Sequence, residues 1–68
     1  MSLYDYQVSR VIDALDPTYE ALIMAALRKA DSLNALAIRT QWPAIAQECQ
    51  ARYDAPGGIL SPDPEARR

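Results

Sequence analysis

Sixty-eight residues allow one domain at most, and a chain of that length buries only about 60% of its surface on folding, so something beyond an ordinary core has to hold it together. One cysteine excludes an internal disulfide, the absence of histidine removes the common zinc ligand sets, and no run of about 18 apolar residues is present to span a membrane. The net charge of −2, with its basic residues scattered, argues against a nucleic-acid footprint, while the 50% apolar content, rich in alanine, favours helix.

Taken in chain order, Tyr4, Val8, Val11, Ile12 and Leu15 fall on one face of a 3.6-residue helix. Ser2 stands before them and Asp5 follows three residues on, close to a capping box with Asp in place of Glu, so a first helix is predicted over residues 3–15. Asp16-Pro17 predicts the start of a second helix, with Asp16 as N-cap and Pro17 in the first helical position, almost without a loop. That helix is expected over 17–30, with Tyr19, Leu22, Ile23, Ala26, Leu27 and Ala30 as its main stripe. Ala21, Met24 and Ala25 carry the apolar surface further round, as in a helix buried on more than one side. Glu20 near its start and Arg28 and Lys29 at its end complement the helix dipole.

The next boundary stays open. Asp31 or Ser32 can cap a third helix covering Leu33 to Gln41, yet Leu33 and Ala37 also continue the previous stripe and no Gly or Pro intervenes, so one long bent helix over 17–41 is an alternative. A separate third helix carries Leu33, Leu36, Ala37 and Thr40 on one face, with Ile38 and Trp42 on another. Pro43 fits the first turn of a fourth helix, capped by Thr40 or Gln41, with Trp42, Ile45, Ala46, Cys49 and Tyr53 at helical spacing. Ala55-Pro56-Gly57-Gly58 stops it, Ile59-Leu60 can fold back, and Ser61 to Arg68, with Pro62 and Pro64, is expected to fray. The fold class expected is all-α: a small bundle of three to four short helices over residues 1–58, paired as hairpins through short connections, with a flexible, partly disordered C-terminal tail over 59–68.

No catalytic, cofactor-binding or metal site is expected, and no enzyme. Without histidine no Ser-His-Asp or Cys-His arrangement can exist. Cys49 shares its stripe with Ile45 and Tyr53 and reads as a small buried hydrophobe. Asp13, Asp16 and Glu20 could bring carboxylates together, but capping, the helix dipole and a solvated face account for them. Gly57-Gly58 follow a helix and so make no phosphate loop. The competing idea is a helix-turn-helix-like DNA-binding regulator whose fourth helix would offer Gln47, Gln50 and Arg52 to base edges. Glu48 and Asp54 on the same helix, and the negative net charge, oppose it.

The function expected is a small protein–protein interaction module that binds itself or another protein through an apolar helix face, because the second helix is apolar on more sides than three short neighbours cover. The expected partner-binding residues are Tyr6, Met24, Arg28, Ile38 and Trp42. Trp, Tyr and Arg dominate interface energies, and Trp42 at a helix junction is either the main core anchor or such a hot spot. Ile38 shares its face, Met24 lies on the second face of its helix, and Tyr6 lies off the first stripe. The partner is expected to be protein, in a homo-oligomer or a mixed complex, with neither nucleic acid nor membrane. Met1-Ser2-Leu3-Tyr4-Asp5 has no signal-peptide pattern and a lone cysteine suits reducing conditions, so a cytoplasmic setting is expected.

Three stretches stand out together: Leu3-Tyr4-Asp5-Tyr6-Gln7-Val8-Ser9-Arg10, then Tyr19 to Asp31 (YEALIMAALRKAD), then Gln50-Ala51-Arg52-Tyr53-Asp54-Ala55-Pro56-Gly57-Gly58-Ile59-Leu60. In this texture the chain resembles short uncharacterised proteins of tailed phages infecting actinobacteria, over most of its length up to residue 60. The resemblance implies a bacteriophage (viral) gene product at work in the bacterial host cytoplasm, and it assigns no functional residue.

Overall fold

The hydroxyl of Ser2 starts the first helix. Its Oγ accepts the Asp5 N–H at 3.2 Å and donates to Asp5 Oδ2 at 2.9 Å, a capping box closed through the hydroxyl. This helix, α1, is Leu3–Ala14. In the computed structural model, which describes the backbone of residues 1–67 and the side chains of residues 1–65, three more helices follow. They are α2 (Tyr19–Lys29), α3 (Ser32–Gln41) and α4 (Pro43–Asp54), and short 3-10 turns at Pro56–Gly58 and Pro64–Arg67 come after them. The protein is all-α, and the described residues contain no strand. Of the tail expected to be flexible over 59–68, the backbone is described as far as residue 67 and includes the turn at Pro64–Arg67, while residue 68 lies outside the described residues.

Asp16 does not cap α2, as the sequence suggested, but ends α1. The residue before a proline is driven from right-handed helical geometry, so α1 cannot run through Asp16. Asp16 instead takes φ 53°, a left-handed conformation that short polar side chains tolerate, and its N–H reaches the Asp13 carbonyl at 2.9 Å. The second hydrogen bond of a helix-ending motif of this kind would have to come from residue 17, and proline has no N–H to give. Thr18 then caps α2, its Oγ1 accepting the Ala21 N–H at 3.1 Å.

The boundary left open by the sequence resolves into two helices. Ala30 (ψ 141°) and Asp31 (ψ 178°) are extended, and Asp31 Oδ1 accepts the Asn34 N–H at 2.9 Å. Replacing Asp31 by alanine should therefore destabilise the protein by about 1 kcal/mol, seen as a lower urea midpoint. Pro43 likewise forces a stop before it. Trp42 (φ −130°, ψ 64°) is the last cap of α3 and the first of α4: its N–H closes α3 on Ile38 at 2.8 Å and its carbonyl accepts the Ala46 N–H at 3.0 Å. Neither Thr40 nor Gln41 caps α4. The Thr40 hydroxyl donates back to the Leu36 carbonyl at 2.7 Å, and α4 has no side-chain cap.

Helices α2, α3 and α4 pack on one another, and α4 also packs on the turn Pro56–Gly58. Among the described residues the buried side chains are Ala46 and Cys49 of α4, 6% and 9% exposed. Ile23, Met24 and Leu27 of α2, Ala35 and Ile38 of α3, and Trp42 and Ile45 at the start of α4 are half-buried. The buried side of α2 is thus the Ile23, Met24, Leu27 and Ala30 side, whereas Tyr19, Leu22 and Ala26, expected in its main stripe, are exposed. Tyr53, also expected in the core, is exposed. The expected hairpin of the first two helices is absent as well: α1 packs against no other element. The left-handed Asp16 and the extended Thr18 carry α1 away from α2. The radius of gyration is accordingly 14.2 Å, against about 11 Å for a compact chain of this length, and the molecule measures 45 × 28 × 17 Å.

Candidate interaction surface

Two apolar stripes are left without a covering element. The first is on α1, where Tyr4, Val8, Val11 and Leu15 follow one another at spacings of four, three and four residues, the rhythm of a seam that interlocks with another helix. Ile12 widens it. Val11 is 64% and Leu15 78% exposed. The second runs along the outer face of α3, opposite the half-buried Ala35 and Ile38: Leu33, Leu36, Ala37 and Thr40. Leu36 is 62% exposed, and the Thr40 hydroxyl, satisfied by the Leu36 carbonyl, brings no unpaired donor to the stripe. Solitary exposed apolar residues are ordinary on a protein surface, but contiguous rows of them mark contact sites.

The residues expected to bind a partner are not brought together. Tyr6 is exposed on α1, off its apolar stripe, and Arg28 is exposed in the last turn of α2 beside a groove that Leu27, Arg39 and Cys49 also line. Met24 and Ile38 are half-buried on the packed helices. Trp42, half-buried between α3 and α4, meets the ring of Tyr19 edge to face, centroids 6.0 Å apart and planes at 66°. This is the geometry aromatic quadrupoles favour, and it makes Trp42 a clasp between the start of α2 and the α3–α4 corner. The sequence did show the rows on α1 and α3, as candidate faces of a bundle; it gave no sign that they would stay open.

The largest polar cluster is built on Arg52. Its guanidinium forks onto Asp63, Nη1 to Oδ2 at 2.6 Å and Nη2 to Oδ1 at 3.0 Å, while Nη1 also donates to the Gly58 carbonyl at 2.7 Å and Nε to Glu48 at 3.3 Å. Asp63 in turn accepts the Leu60 N–H at 2.8 Å. Two glycines at positive φ, Gly57 (63°) and Gly58 (71°), turn the chain so that its carbonyl and Asp63 come back to α4. The residues from Ile59 to Asp63 are thereby strapped to α4. The hydrogen bonds from Arg52 and then from the Leu60 N–H hold the Asp63 carboxyl at about 2, below its ordinary value of 3.8, and Asp63 holds the Arg52 pKa above its ordinary value. A depressed carboxylate contributes stability above its unfolded pKa and loses it as pH falls through the folded one. Protection of the Leu60 amide against hydrogen exchange, taken relative to the intrinsic rate at each pH, should thus be present at neutral pH and fall between about pH 4 and pH 2, and Asp63→Asn should remove the pH-dependent step.

The same strap bears on DNA reading, because Arg52, the arginine that would meet guanine, is committed to three partners in its own chain, and Gln50 Nε2 donates to Asp54 at 3.1 Å. Gln47 and Gln50 line an open groove with Arg39, Pro43 and Ala46. Cys49 lies buried, as expected of a small hydrophobe. Among the described residues no group of three His, Cys, Asp or Glu side chains could hold a metal ion, and no helix is long and apolar enough to cross a membrane. Compared with protein-family models, with curated proteins and with solved structures, the chain matches none.

Proposed function

We propose that this chain is a small, non-enzymatic protein–protein interaction module and that its binding element is the apolar face of α1. The observation that carries the reading is that α1 offers Tyr4, Val8, Val11, Ile12 and Leu15 on one side while packing against no other element among the described residues. Helix-in-groove recognition uses anchors at this spacing, laid into an apolar trough. The surface differs from the one expected on α2, whose inner side is taken up by α3 and α4. The resemblance to phage proteins would put the partner, self or other, inside an infected bacterial cell.

Val11 is central in the stripe and touches no other element, so it can be changed without disturbing the three packed helices. Val11→Glu should weaken partner binding at least tenfold, since burying a valine side chain is worth about 1.5 kcal/mol or more and a buried unpaired carboxylate adds to the loss. The test is affinity capture from bacterial lysate by the wild type and by Val11→Glu, with near-ultraviolet circular dichroism of the Tyr19–Trp42 pair to show that α2 to α4 stay packed. A protein, or another copy of the chain, retained by the first and lost by the second is the expected result. A catch identical for both would remove α1 as the binding element.

A further inference from the structure

Resting on the interaction reading above, we infer that the partner of α1 is a second copy of this chain, each α1 lying along the outer α3 stripe of the other copy in a reciprocal two-fold exchange. Surface area is the first argument. The chain exposes 5937 Å², whereas folded monomers of its 7.6 kDa expose about 4,300 Å². The excess is roughly 1,600 Å² per chain, and two copies hiding it from each other would bury roughly 3,300 Å², inside the range of obligate homodimers. Part of the excess belongs to the C-terminal segment, but half of it would still make an interface of standard size.

The match of the two stripes is the second argument. Helix α1 has 12 residues and α3 has 10, lengths of about 18 and 15 Å, and neither Val8, Val11 and Leu15 nor Leu33, Leu36 and Ala37 are interrupted by a charge on the same face. The connector through the left-handed Asp16 and extended Thr18 keeps α1 off its own chain and free to reach another. A two-fold axis that seats each α1 on the other copy's α3 covers both stripes on both copies and leaves no open end. Pairing α1 with α1 would cover one stripe and leave the other in water. The thin core points the same way: with Ala46 and Cys49 the buried side chains among the described residues, and no internal disulfide available, covering the two stripes adds stability that the chain's own packing supplies sparingly.

The full-length chain is studied by sedimentation equilibrium over a hundredfold range of concentration, and by isotope-filtered NMR on an equal mixture of labelled and unlabelled chains. The expected result is a dimer with contacts between copies running from the Val11 and Leu15 methyls to those of Leu33 and Leu36. Val11→Glu and Leu36→Glu should each sediment as monomers, and mixing the two should restore a dimer, because one unaltered α1 can still meet one unaltered α3. The NMR measurement needs no variant and holds even where a variant fails to fold. A wild type that stays monomeric at the highest concentration, a dimer whose contacts join α1 to α1, or a dimer untouched by Leu36→Glu would each overturn the inference. A monomeric wild type that still captures another protein through Val11 would sink the second copy alone and leave the interaction module standing.

Discussion

Trp42→Ala should be the most damaging single truncation in this protein, lowering its stability by about 2–4 kcal/mol, somewhat less than a fully buried tryptophan would. Alanine keeps the two backbone hydrogen bonds through which residue 42 ends α3 and starts α4, so the loss isolates the side chain. That side chain is half-buried and its contact with Tyr19 is worth about 0.5–1.5 kcal/mol beyond area alone. A chain of 68 residues has about 3–10 kcal/mol in total, so the substitution removes a large fraction of the folded population. Urea unfolding reads it as a lower midpoint at unchanged slope. Tyr19→Phe keeps the ring and should leave most of the stability in place. A Trp42→Ala effect below about 1 kcal/mol would move this residue from the core to the docking surface.

Ala46→Leu should come next, destabilising by about 1–3 kcal/mol through overpacking. Residue 46 is 6% exposed on the helix that packs on both α2 and α3, so a leucine there must displace those neighbours or turn into the groove lined by Arg39 and Gln50. In a domain of this size the change corresponds to a fall of several degrees or more in the thermal midpoint, about 4–8 °C for each kcal/mol. Ala44→Leu, on the exposed side of the same helix, should stay within about 0.5 kcal/mol and serves as the comparison.

The helices and most of their ends were legible because they depend on neighbours in sequence. Ser2 with Asp5, Pro43 in a first turn and the Pro56-Gly57-Gly58 stop all act over three or four residues, and so does Asp31 with Asn34, although there the boundary itself was open as well as the choice of cap. Asp16-Pro17 misled because an aspartate before proline can serve either helix. The next residue, Thr18, had an equally good oxygen, and with it free to cap α2, Asp16 could turn α1 aside. Trp42 misled for a related reason: between two helices that meet at one residue there is no room for a separate capping side chain.

What was not legible concerns distance in space. The row Tyr4, Val8, Val11, Leu15 says that a face is apolar but not what lies against it, and its bundle reading assumed a neighbour that its own chain does not supply. Tyr53 follows Cys49 by four residues and yet is exposed, because the Pro56–Gly58 turn meets α4 at Arg52 and leaves the neighbouring tyrosine ring uncovered. Arg52 and Asp63 are eleven residues apart, and only the two positive-φ glycines between them bring their charges together. Expected contact residues such as Ile38 and Met24 were chosen for chemistry that also suits an interior, which is where the packed helices partly place them.

Twelve residues is close to the length at which a helix in water begins to melt for want of tertiary support, and α1 receives none from its own chain. Its order is therefore conditional. On the proposed association, dilution below the dissociation constant should let α1 unwind while α2 to α4 keep their shape, and association must repay the ordering of a dozen residues before any net affinity is left over. The ellipticity of the free chain then works as a built-in gauge of how much of α1 is occupied.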